Sequence, residues 1–159
     1  VHIEIIIGSQ TLTVFDEEQQ LMSFSVATAR KGVGEQYGSE QTPRGWHIIR
    51  AKIGAKQLIN TVFVARRPTG EIYTSTLREQ EPERDWILTR ILWLSGLEPG
   101  RNRLGTVDTM RRYIYIHGCP DEDAMGIPSS HGCIKMHNKD VIRLFDTVDV
   151  GTRVLIKEQ

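Results

Sequence analysis

Cys133 lies in the run Ser130-His131-Gly132-Cys133-Ile134-Lys135-Met136, and a second His-Gly pair precedes it at His117-Gly118. Cysteine is a strong nucleophile only as its thiolate, which a neighbouring imidazole generates by taking the proton. Glycine lets backbone N–H groups turn toward a ligand with no Cβ in the way. The two segments therefore offer a nucleophile, a base and an oxyanion site, the parts of a covalent acyl transfer. The competing reading of Cys133 is a buried thiol acting as a small apolar side chain. Two histidines close in sequence weigh against it.

Either histidine fits the base. His117 ends a strand-like run and would take the thiol proton, then return it to a leaving amine. No Asp or Asn stands beside it to orient the other ring nitrogen, so a backbone carbonyl such as that of Gly118 is a candidate. His131, two positions before Cys133, would share its face if the segment were extended. Spacing leaves the two nearly even. Ser130 is read as a hydrogen-bonding group for substrate or loop backbone, and Lys135 as a binder of carbonyl or carboxylate. Cys119 lacks a following glycine turn and ranks below Cys133. Its presence permits a disulfide in an exported protein, although the surrounding histidines suit free thiols better. A zinc site using His117, Cys119, His131 and Cys133, with His137 in reserve, is a further alternative. The one-residue spacing within each pair is unusual for structural zinc.

The elements that must position these groups read mostly as strands. His2–Ile7 is apolar and β-branched, Thr11–Phe15 and Leu21–Thr28 alternate apolar and polar residues, and with Gly8-Ser9-Gln10 as a turn the three form a β-meander. Ala29–Arg44 is polar and glycine-rich, a long loop of the kind that often carries function. It closes on the turn signal Thr42-Pro43-Arg44-Gly45. Trp46–Ile53, Thr61–Ala65 and Ile72–Thr76 read as strands, the last after a turn at Pro68-Thr69-Gly70, and Glu79–Asp85 as a charged loop. Trp86–Leu94 is continuously apolar and is assigned to strand because Gly96 and Pro99 close it early. Gly100–Arg112 is a polar loop. In Arg112–His117, Ile114 and Ile116 face one side while Tyr113, Tyr115 and His117 face the other. Asn138 is placed as the N-cap of a helix carrying Val141, Ile142, Leu144 and Phe145. Arg153–Ile156 is a last strand. The sum is a mainly β protein, a β-sandwich or barrel-like fold with a short helix in the C-terminal half.

Composition bounds the function. The 159 residues fit one domain, 1–159, with 39% apolar and 25% charged residues. Twenty basic residues balance twenty acidic ones, with no basic run of five or more, so nothing suggests a polyanion-binding surface and no nucleic acid partner is expected. No apolar run approaches the roughly 20 residues of a membrane span. The chain opens at Val1 inside a strand-like run, so a processed or trimmed N-terminus is expected.

Taken together, Tyr115-Ile116-His117-Gly118 followed by Ser130-His131-Gly132-Cys133-Ile134-Lys135-Met136 resembles the signature of the L,D-transpeptidase catalytic domain of the YkuD type. Thr42-Pro43-Arg44-Gly45 resembles that family's Thr-Pro-x-Gly turn, and the likeness spans essentially the whole chain. The resemblance implies an L,D-transpeptidase-like β-sandwich and no metal or organic cofactor. It also implies Cys133 as nucleophile, His117 as base and the Gly118 carbonyl as its orienter. The amides of Gly132 and Cys133 would form the oxyanion hole, while Tyr115, Ser130, His131 and Lys135 line the substrate groove. Lys135 replaces the more usual Arg and loses its bidentate fork, and Cys119 lies outside the pattern. The implied reaction is attack on the L-centre carbonyl of a peptidoglycan tetrapeptide stem, with release of D-alanine. The thioester then passes to an amine of another stem or of a lipoprotein, or to water in an amidase or L,D-carboxypeptidase. The implied location is the periplasm or cell envelope.

Overall fold

A computed structural model describes residues 1–159. Strands β1 (His2–Ile6), β2 (Thr11–Asp16) and β3 (Gln19–Ser25) form the expected antiparallel meander. Ile3, Ile5, Leu12 and Val14 alternate inward and are fully buried, which fixes the register of this half-buried sheet. The C-terminal strand β10 (Arg153–Lys157) inserts next, parallel to β1 and antiparallel to β4 (Gly45–Ile53). β7 (Ile87–Gly96) is the central strand, confirming the strand assignment of the apolar run. β4 flanks its second half, while the hairpin β5 (Thr61–Val64) and β6 (Arg67–Ile72) continues from its first half. On the other edge of β7 lie β8 (Tyr115–Cys119), antiparallel, and β9 (Ile134–His137), parallel to β8.

Helix α2 (Asn138–Thr147) covers the inner face, burying Val141, Leu144 and Phe145 against β7, β8 and β9. With Ile116, Ile134, Met136 and the inward residues of β1, β2, β4 and β10 they make one core of 19 buried side chains. Each fully buried Ile or Leu there contributes about 1.5–3 kcal/mol. No helix is long and apolar enough to cross a membrane.

Several local expectations are corrected. Pro68-Thr69-Gly70 lies inside edge strand β6, where a missing N–H is tolerated. The turn falls instead at Ala65 and Arg66, both left-handed at φ 48° and 64° respectively, the geometry that matches hairpin twist. A short helix α1 (Ser75–Gln80), capped by Thr74 Oγ1, occupies part of the segments read as strand and loop. Tyr113 lies outside β8, at φ 57°. Asn138 is not a capping side chain. It is buried, donates to Asn60 and Asp121 and accepts from Thr89 Oγ1, tying the start of α2 to β7.

Candidate active site

The parallel pairing of β8 and β9 assembles the site. His117 stands opposite Lys135, and Ile116 opposite Ile134. Ile116, Ile134 and Met136 point into the core, so the intervening residues His117, Lys135 and Cys133 point to the other face. Cys133 and His117 are thereby diagonal neighbours on one face. They share a cavity of about 220 Å³ with Ser130, His131, Arg112 and Asp85.

His117 is buried, and its Nδ1–H donates to the Gly118 carbonyl at 2.7 Å, which leaves Nε2 as the acceptor. Gly118 has no room for a side chain, since a Cβ would come within 2.6 Å of the Leu88 carbonyl. Burial lowers the imidazole pKa from its usual value, opposed by the Asp85 charge and the Gly118 hydrogen bond, while Lys135 adds to the lowering.

Cys133 Sγ is not bonded to His117. It donates to the Tyr113 carbonyl at 3.4 Å and accepts from the Tyr115 N–H at 3.3 Å. Burial pushes the thiol up to about 12. The Tyr115 N–H and then Arg112 pull it down, and Asp85 pushes it up. The pair therefore rests as neutral thiol and neutral imidazole, a base already free to accept a proton.

The loop before Cys133 is cross-braced. Ser130 Oγ donates to the Cys133 carbonyl at 2.5 Å and accepts from the Gly132 N–H at 3.1 Å. Thr42 Oγ1 donates to the Gly132 carbonyl at 2.9 Å and accepts from the Ala29 N–H. The Thr-Pro-x-Gly turn thus fastens the nucleophile-bearing loop to the long 29–44 segment. The Gly132 amide is engaged by Ser130, whereas the Cys133 amide makes no hydrogen bond within the protein. His131 is exposed at the cavity rim. Lys135 pairs with Asp123 at 3.3 Å and donates to Ser129 Oγ. Tyr115 is buried, its hydroxyl accepting from Arg66.

Cys119 is held apart from this cavity. It is fully buried, its thiol donates to the Met136 carbonyl, and burial first of all pushes its pKa up to about 12. It pairs with His137, four ladder positions beyond Tyr115, which contacts Cys133. That places it about 13 Å from Cys133 at the rise of a strand, too far for a disulfide. Both cysteines are free. The same separation keeps Cys119 and Cys133 from ligating one zinc ion together, the pairing the zinc alternative requires.

Sequence reasoning missed Asp85 and Arg112. Asp85 is one charged residue in a charged loop, and Arg112 one of two adjacent arginines. Only the fold brings both to the thiol. Arg112 donates to the carbonyls of Gly34 and Gln41 and meets no carboxylate, and burial lowers its pKa.

The chain matches the YkuD L,D-transpeptidase catalytic domain over residues 1–156. It belongs to that family. Among curated relatives, the Bacillus subtilis protein YkuD, which carries an L,D-transpeptidase name, is 34% identical over 94 residues, 59% of this chain and 47% of its own. YqjB of the same organism, similarly named, is 54% identical over 43 residues, 27% of this chain and 24% of its own. The chain spans less than half the length of these two relatives. Among solved structures, an L,D-transpeptidase from Mycobacterium smegmatis superposes at TM-score 0.61 and 17% identity, covering 98% of this chain and 57% of that one. L,D-transpeptidase 3 of Mycobacterium tuberculosis, in complex with a faropenem-derived adduct, gives 0.60 and 16%, covering 98% and 59%. At these identities the likeness is one of fold, and it agrees with the mainly β architecture of this YkuD-family chain.

Proposed function

We propose that residues 1–159 form a single catalytic domain of a cysteine acyltransferase that cross-links peptidoglycan stem peptides. The observation that carries this reading is the placement of Cys133 and His117 in one cavity, with the imidazole tautomer held by the Gly118 carbonyl. His117 Nε2 takes the thiol proton as Sγ attacks the L-centre carbonyl of the third residue of a tetrapeptide stem. The Cys133 N–H is the donor free to hold the oxyanion, and the Tyr115 N–H and Arg112 charge steady the sulfur. The C–N bond to D-alanine breaks, and His117 returns the proton to the leaving amine. An acceptor amine then attacks the thioester, giving its proton to His117 and on to Sγ as the C–S bond breaks. Another stem or a lipoprotein supplies that amine. Ser130, Gly132 and Thr42 keep the loop in shape, while His131 and Lys135 border the groove. The substrate places the protein in the cell envelope, and no cofactor enters the reaction.

Intact mass spectrometry with a tetrapeptide muropeptide and with a carbapenem tests the reading. Wild-type protein should form a thioester with loss of D-alanine and a carbapenem adduct. Cys133→Ala should form neither, and an adduct surviving in that variant would overturn the assignment. His117→Ala should slow acylation about hundredfold, the usual scale for a lost general base. An unchanged rate would give the base role to His131. Products that stay hydrolytic with amine acceptors present would make the enzyme an L,D-carboxypeptidase instead.

A further inference from the structure

Arg66 is distant from the cavity in sequence, 49 positions before Tyr115, and it sits in the tight β5–β6 turn at φ 64°. Asn or Gly is the usual occupant of such a turn position, so the turn's own geometry does not account for an arginine. Its guanidinium lies over two rings at once, 4.7 Å from the centroid of Trp93 and 4.9 Å from that of Tyr113. The same group donates from Nη1 to the Tyr115 hydroxyl at 2.9 Å. Trp93 is anchored by its Nε1–H donating to the Met110 carbonyl, and it meets Tyr115 edge-on at 6.0 Å. One planar cation thus closes a cluster of three aromatic rings.

The backbone of two of those residues holds the thiol. Tyr113 supplies the carbonyl that accepts from Cys133 Sγ, and Tyr115 supplies the N–H that donates to it. Tyr113 achieves this at φ 57°, a region a bulky side chain enters only when its surroundings hold it there. The residue is 54% exposed, so little core packing holds it; its N–H donates to the Met110 carbonyl, and its ring is covered by the Arg66 guanidinium and flanked by Trp93.

We propose that Arg66 is a positioning residue for the Cys133 thiol, fixing the Tyr113 carbonyl and the Tyr115 N–H through the Trp93–Tyr113–Tyr115 cluster. The role requires planarity as well as charge, because face stacking and the hydroxyl hydrogen bond come from different parts of one flat group. It rests on Cys133 being the nucleophile, but its readout does not require turnover.

The test is the pH dependence of Cys133 alkylation by iodoacetamide, mapped to Cys133 by peptide mass. Besides the two tyrosines, Arg112, Asp85, His117 and His131 line the cavity with the sulfur, and none of them is changed in the variants. The Tyr115 N–H favours thiolate and outweighs the Tyr113 carbonyl, which accepts from the neutral S–H, so loosening both should move the profile to higher pH. Arg66→Ala should slow alkylation at pH 8 about fivefold, the scale of one hydrogen bond. Arg66→Lys keeps the charge and should stay close to Arg66→Ala. Tyr115→Phe removes only the hydroxyl acceptor and should give a smaller shift in the same direction. That variant decides the matter if Arg66→Ala does not fold. An unchanged profile in folded variants, or full rescue by lysine, would overturn the inference. Failure of a carbapenem to label Cys133 in the wild-type protein would instead sink the transpeptidase reading, while the alkylation profile would still report the clamp.

Discussion

Cys133 and His117 carry opposite pKa shifts with one cause, since burial penalises the thiolate and the imidazolium alike. A preformed ion pair would alkylate at a rate that stays flat down to acid pH. A neutral pair should instead show a rate that climbs steadily from pH 7 toward the thiol value of about 12. A plateau below pH 7 in the wild-type profile would contradict this. Because the His117 pKa lies below its ordinary 6.5, the imidazole remains an available base in mildly acid solution. Turnover should therefore fall only once pH drops below that ordinary value. Asp85 opposes thiolate formation across the cavity, so Asp85→Asn should raise the alkylation rate at pH 8. The expected gain is roughly threefold, because the carboxylate is exposed and screened. At this scale the sequence displayed Cys133, His117 and the glycines openly, through residue type and spacing. Asp85 and Arg112 were not legible, because an isolated charge has no signature until the chain folds around a thiol.

Gly118 joins the site to the strand scaffold. β8 passes so close to β7 and α2 that an added Cβ would sit 2.6 Å from the Leu88 carbonyl and 2.5 Å from Asn138 Oδ1. Asn138 cannot yield cheaply, being bonded to Thr89, Asn60 and Asp121. Gly118→Ala should destabilise the protein by about 1–3 kcal/mol, the range for overpacking, as measured by denaturant unfolding. It should also slow carbapenem acylation, because the carbonyl that orients His117 moves with the strand. Wild-type acylation in a folded Gly118→Ala protein would show that the carbonyl is dispensable. Elements with apolar alternation, such as β2 and β3, were legible from period, and β7 from its apolar run closed by Gly96 and Pro99. β9 was not, because Ile134-Lys135-Met136 is too short to display a period and becomes a strand only by pairing with β8. The Ala65–Arg66 turn was hidden for a related reason. Neither residue favours φ > 0, and Pro68-Thr69-Gly70 nearby looked the better turn.

The whole molecule places a second histidine in its interior. His47 in β4 is fully buried between β10 and β7, its Nδ1–H donating to the Gly45 carbonyl and its Nε2 accepting from Thr109 Oγ1. Burial drives its pKa down to about 4, with the Gly45 hydrogen bond opposing. The unfolded chain takes up this proton near pH 6.5 and the folded chain only near 4. Stability is thus intact above 6.5, declines as pH falls through that window, and levels off below it. The loss attributable to His47 is about 3 kcal/mol, and His117 adds to it in the same direction. Urea unfolding at pH 7 and pH 4.5 checks this. His47→Gln should be less stable at neutral pH yet lose less on acidification, and an equal loss in both proteins would assign the effect elsewhere.

By itself the sequence determined the chemistry on offer and the strand-rich class, because nucleophile, base, glycines and apolar alternation are local properties of neighbouring residues. It left two bases for one thiol, and family resemblance alone ranked them. Only the tertiary structure decided which groups share a cavity. Parallel pairing of β8 with β9 sets Cys133 diagonal to His117 and carries Cys119 away along the same ladder. The insertion of β10 between β1 and β4 and the approach of Arg66 to Tyr115 are decisions of the same kind. They join residues far apart in the chain, where no periodicity or spacing reports who will meet.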